Sequence, residues 1–178
     1  MIFDKTDLAP SHEQALLIAA ALGRFLDDMT TEGVAFDDLN GIIPDQYAHH
    51  WQKTLHFLNI LNDQWPKWLQ ENGLIESADK RNLLLNAWAD LWATTPPTNP
   101  VYIAGVTGTI PAAATLMKTV ASLTNGGVIL PGFDVECDDD TWKTMQADHP
   151  YHGFKTLLDH LEITKDQIKI WSYGEDPK

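Results

Sequence analysis

Apolar residues recur at alternating three- and four-residue steps from the start of the chain. Ala15, Ile18, Leu22, Phe25 and Met29 share one face of a helix predicted over residues 11 to 31. Ser11 with Gln14 has the form of a capping box, and Gly33 that of a stop. Pro44 and Asp45 open a second helix reaching residue 72, with Trp51, Leu55, Leu58, Leu61, Trp65, Trp68 and Leu69 in a wide apolar stripe. Pro66 is expected to kink that helix or split it in two. Ser77 caps a third helix, with Leu84, Ala87, Trp88 and Leu91 at core spacing. The first hundred residues therefore predict an all-helical bundle.

The period changes after residues 94–100, where Pro96, Pro97 and Pro100 exclude a continuing helix. Residues 101–104 read as a short buried strand, and Thr109 with Pro111 as the N-cap and first-turn proline of a helix reaching residue 123. Asn125-Gly126-Gly127 ends that helix, and residues 128–130 form the next strand. Strand, helix, strand in that order implies a parallel crossover. Residues 138–146 and 154–161 predict two further helices, and 168–173 a weakly alternating last strand. The expected fold is α/β: a helical bundle over residues 1–95 packed beside a partial parallel sheet unit over 96–178.

Composition narrows the function classes. The 178 residues are 44% apolar, with seven Trp to supply a core. No run approaches the ~18 apolar residues of a membrane span, and the N-terminus lacks the order of a signal peptide. A cytoplasmic location with no membrane partner is expected. The single cysteine, Cys137, excludes an internal disulfide and a four-cysteine metal site. Residues 1–99 carry 14 acids against 6 bases, residues 100–178 carry 11 against 6, and the net charge is −13. Phosphate-backbone affinity comes from Lys and Arg displacing counterions. With Arg24 and Arg81 its only arginines, the chain alone is expected to bind DNA weakly or not at all.

The candidate chemistry is sparse. Gly105-Val106-Thr107-Gly108-Thr109 lies between a strand and a helix N-terminus, where amide groups and the helix dipole favour an anion. Gly105, Thr107, Gly108 and Thr109 are the candidate phosphate-site residues. A phosphate loop, however, needs a lysine after glycine in that turn, and no glycine of this chain is followed by lysine. A structural turn is the competing reading. Asp134, Glu136, Asp138, Asp139 and Asp140 lack the closing glutamate of a calcium loop and read as a solvated loop whose last members cap the helix at Trp142. His49, His50 and His56 fall on the second helix, without a third ligand type to complete a metal site. His149-Pro150-Tyr151-His152 reads as a turn holding hydrogen-bonded imidazoles. Acidic neighbours make Cys137 a poor nucleophile, and no hydrolytic triad is present. Trp51, Trp65, Trp68, Trp88 and Trp92 lack the interleaved cations of a base-stacking platform. They read instead as core, or as an interface awaiting a neighbour. No catalytic residue, metal ligand or cofactor is expected.

Three segments carry a family resemblance: residues 99–117 (NPVYIAGVTGTIPAAATLM), 126–134 (GGVILPGFD), and His149-Pro150 leading to Gly153-Phe154-Lys155-Thr156-Leu157-Leu158. Together with Thr31-Glu32-Gly33-Val34, His50-Trp51-Gln52-Lys53-Thr54-Leu55 and Arg81-Asn82-Leu83-Leu84, this pattern resembles the AddB subunit of AddAB-type double-strand-break repair helicase-nucleases in its alphaproteobacterial form. The resemblance implies an internal fragment of a superfamily 1 helicase region that has lost motor function and serves as a scaffold beside AddA. It implies DNA contact only within the full complex. In an active relative the first strand would lead into an Asp-Glu pair; here Gly105-Val106-Thr107-Gly108 stands there. The second would lead into a Gly-Asp-x-x-Gln sensor; here Pro131-Gly132-Phe133-Asp134 follows. Phosphoryl transfer depends on a bound metal and a positioned water, so the resemblance implies a catalytically silent segment. The family's nuclease residues have no counterparts in this chain. The alternatives are a small phosphate-ligand or nucleotide-ligand enzyme using the 105–109 turn, and an acidic protein-interaction module.

Overall fold

The computed structural model describes residues 11–36, 38 and 48–170, with residues 48–57, 59 and 60 described in backbone only. It is mixed α/β: among the described residues, six helices and a small two-strand parallel sheet packed against helices. The chain divides into two compact units, Met1–Arg81 and Asn82–Lys178. The division falls inside the third helix, upstream of the proline-rich segment at which the sequence period changes.

In the first unit, α1 (His12–Glu32) starts where Ser11 turns to extended backbone and its hydroxyl accepts the Gln14 amide at 3.2 Å. It ends at Gly33, whose left-handed backbone (φ 68°) returns the amide to the last turn. Only the C-terminal half of the predicted stripe is covered. Met29 is buried with Leu58, and Leu22, Phe25, Phe36 and Leu61 pack against them, whereas Ala15 and Ile18 are exposed. Helix α2 (Ala48–Glu71) runs through Pro66 without a break, contrary to a split at that residue. Asn62, whose carbonyl loses its i+4 amide, and Pro66 itself are both exposed, so water can replace the missing donor. The helix start expected at Pro44 and Asp45, and the side chains of Trp51 and Leu55, lie outside the described residues.

Helix α3 (Ser77–Thr94) buries a different face from the one its spacing suggests. Leu84, Ala87, Trp88 and Leu91, expected in the core, are exposed, while Ala78 and Ala89 are buried and Leu85 and Trp92 half-buried. Both faces of this helix are apolar, so periodicity alone does not choose between them. The small side chains of Ala78 and Ala89 permit close approach on the buried side.

In the second unit, β1 (Val101–Ala104) and β2 (Gly126–Ile129) pair in parallel, Val101 opposite Gly126 and Ala104 opposite Ile129. Helix α4 (Pro111–Ser122) joins them and packs on both strands. Its N-cap is Ile110 rather than Thr109, because Pro111 takes the first helical position and sets the cap immediately before it, one residue later than expected. Gly126 and Gly127 do not end the helix but begin the strand. A β-carbon on Gly126 would be driven into the Val120 carbonyl, and one on Gly127 would lie 2.8 Å from the Tyr102 ring. The chain can re-enter the sheet this tightly only without side chains there.

Helix α5 (Asp139–Thr144) is shorter than expected, and α6 (His152–Leu161) begins two residues earlier. Phe154, Leu157, Leu158 and Leu161 of α6 are buried at i, i+3, i+4 and i+7. With Ala114 and Met117 of α4, the three leucines form the main core, against which Ile103, Val128, Phe133 and Trp142 pack. Each fully buried large side chain contributes about 1.5–3 kcal/mol. Residues 165–167 form a 3₁₀ turn, and 168–170 are irregular where a last strand was expected. Ile168 instead packs against the core, and residues 171–173 lie outside the described residues.

Candidate functional site

Ligands of open parallel α/β sheets bind beyond the carboxyl ends of the strands. Beyond β1 runs the turn Gly105-Val106-Thr107-Gly108-Thr109, in which Gly105 and Gly108 take left-handed backbone (φ 76° and 68°). All four candidate residues lie in the turn; Gly105, Thr107 and Thr109 are exposed, and Gly108 is the packed one. Any β-carbon on Gly108 would overlap the Leu157 side chain of α6. The α4 N-terminus has no side-chain cap, its first residue Pro111 has no amide hydrogen, and the Ala114 amide already bonds the Ile110 carbonyl. Lys155 of α6 donates to the Lys143 carbonyl at 3.1 Å.

Beyond β2, Asp134, Asp138 and Asp139 of the 134–140 loop serve the fold. Asp134 Oδ1 accepts the Glu136 amide at 2.9 Å. Asp138 Oδ1 caps α5 by accepting the Thr141 amide at 2.8 Å, and that bond holds its carboxyl below the ordinary value. Asp139 bonds Lys165 at 2.9 Å, and Lys165 also donates to the Cys137 carbonyl. The hydrogen bond and charge of Lys165 lower the Asp139 pKa, and Asp139 raises that of Lys165. Among the described residues no group of three or more His, Cys, Asp or Glu could hold a metal. Phe133 meets Trp142 and Phe154 edge-on at 5.7 and 5.6 Å, closing the space behind the loop with aromatic rings. His149 Nδ1 accepts the Tyr151 amide at 3.2 Å, so the 149–152 segment is a hydrogen-bonded turn. The side chains of His49, His50 and His56 lie outside the described residues.

The tryptophans form two pairs along their helices. Trp65 stacks on Trp68 at 5.1 Å and 8°, and Trp88 lies tilted beside Trp92 at 5.0 Å. One member of each pair, Trp68 and Trp88, is 47% exposed. The first unit also holds an open groove of about 370 Å³, lined among others by Met29, Phe36, Leu61, Trp65, Glu76 and Asp79. Sequence reasoning missed this groove. The available signal was the Asn72-Gly73 break, which brings the end of α2 and the start of α3 together and sets Glu76 against the Trp65 indole.

No protein-family model, curated protein or solved structure matches the chain. Among the described residues no helix is long and apolar enough to cross a membrane.

Proposed function

We propose that this chain is a non-catalytic scaffold segment of a DNA double-strand-break repair helicase-nuclease subunit of the AddB kind, a degenerate P-loop helicase region with no motor chemistry of its own. The observation that carries this reading is the run of family-like segments, 99–117, 126–134 and 149–158, which coincides with β1, its turn, α4, β2 and the start of α6. The sheet also supports it. Parallel sheets are ordinarily larger and covered on both faces, whereas among the described residues this one has two strands and leaves Tyr102 of β1 66% exposed. A neighbour contributing further structure would complete it. The turn after β1 has Gly105 and the packed Gly108 where an active relative would carry metal-binding carboxylates, consistent with an inactive motor.

In this reading the partner is an AddA-type subunit, and DNA is contacted only within the complex. The test is co-purification with that subunit, beside thermal shift with ATP and magnesium and binding of labelled single- and double-stranded DNA at low salt. A stable complex, with no ATP hydrolysis and no nucleotide-induced rise in Tm, is the expected result. A ligand that binds only the folded state raises Tm by mass action. A nucleotide shift abolished by altering Thr107 or Thr109 would instead favour the phosphate-ligand enzyme. The exposed tryptophans favour the acidic interaction module, if the AddA-type subunit does not bind and another protein does.

A further inference from the structure

We infer that the groove of the first unit is a docking pocket for an arginine side chain presented by an apolar segment of a partner protein. Its volume of about 370 Å³ lies at the small end of the ~300–1,000 Å³ typical of ligand sites. One long side chain and an apolar neighbour fit that space. Met29, Phe36 and Leu61 give it an apolar wall, while Glu76 and Asp79 bring two carboxylates to the same opening. Among the described residues lining it there is no lysine or arginine.

The two carboxylates are half-buried rather than solvated on a rim. Glu76 Oε1 accepts the Trp65 indole N–H at 2.7 Å, which fixes both side chains and leaves Oε2 open to another donor. Asp79 has no hydrogen-bond or ion-pair partner among the described residues. Half-buried carboxylates beside an apolar wall suit a cation that brings hydrogen-bond donors and apolar surface together. Guanidinium fits better than ammonium. Its planar fork can serve two acceptors at once, and its face stacks on an indole. The Trp65 ring is held for such stacking by its contact with Trp68. The acidic balance of the whole chain, −13, adds attraction toward a basic partner and opposes a second copy as the occupant.

The inference goes beyond the scaffold reading and does not depend on it. The test is an NMR titration of the full chain with the peptide acetyl-Leu-Arg-Leu-Phe-amide, following the Trp65 indole N–H signal, assigned by its loss in Trp65→Phe. Saturable displacement of that signal at millimolar peptide is expected. Replacing arginine by uncharged citrulline should weaken binding by about tenfold or more, as should Asp79→Asn in a chain that keeps its amide spectrum. Asp63→Asn, which alters an exposed carboxylate on α2 outside the groove, should leave affinity unchanged. Free agmatine should bind more weakly than the peptide because it lacks the apolar flanks. An unmoved Trp65 signal, equal binding of the citrulline peptide, or agmatine binding as tightly as the peptide would each overturn the proposal. The unmodified chain with the two peptides decides the matter even if the variants misfold.

Discussion

Gly105 and Gly108 take the same kind of backbone but meet different surroundings, which makes them a matched pair. Gly105 has open space where a β-carbon would go, whereas Gly108 faces Leu157. Gly105→Ala should cost about 1 kcal/mol, the strain of the left-handed region alone. Gly108→Ala should cost about 2–4 kcal/mol, because overpacking adds to that strain. Denaturant unfolding of the two variants checks the difference, and equal losses would mean that α6 does not press on this turn. Titratable residues predict an acid limit. Asp139 and Glu162 are held below the ordinary 3.8 and 4.5 by hydrogen bonds and charge from Lys165 and Lys118. Their stabilisation is present above those values and is lost as pH falls through the lower folded-state values. Lys165 is held above 10.5 by Asp139, so its share is complete below 10.5 and is lost as pH rises through the folded value. Tm should fall below about pH 4, more shallowly in Asp139→Asn. The carboxylates of these pairs are exposed, so the slopes should be small. The glycines of the 105–109 turn were visible in sequence, but Leu157 as the reason for one of them was not, because it lies 49 residues further on.

Local chemistry decided which elements were legible. Ser11, Gly33 and Asp138 act through atoms within a few residues, and the helix boundaries they set agree with the pattern. Ser11→Ala should cost about 1 kcal/mol or less, seen as faster hydrogen exchange in the first turn of α1, whose surroundings are exposed. Helix α3 is the opposite case. With leucine or tryptophan on both sides, only tertiary contacts choose the buried face. Leu84→Gln should therefore change stability by no more than about 0.5 kcal/mol, whereas Ala89→Leu should cost about 1–3 kcal/mol by overpacking. Thermal melts of both variants test the assignment, and a reversed order would return Leu84 to the core. The groove was illegible for a related reason: Glu76 and Asp79 look like ordinary helix-start acids until Trp65, from the preceding helix, is set beside them.

For the molecule as a whole, a charge of −13 implies self-repulsion that counter-ions relieve. Raising ionic strength from ~0.01 M to ~0.15 M shortens the screening length from roughly 30 to 8 Å, so Tm should rise despite weakening of ion pairs such as Lys67–Asp63, Lys118–Glu162 and Lys165–Asp139. A fall in Tm would mean that those pairs outweigh the net repulsion. The contact of Lys165 with the Cys137 carbonyl and the Asp139 carboxylate has a practical corollary. It ties the chain's one thiol-bearing loop to a point 26–28 residues away, and the cysteine is half-buried. A maleimide dye can attach nowhere else on the chain, so its rate of attachment becomes a clock for how often that tether lets go.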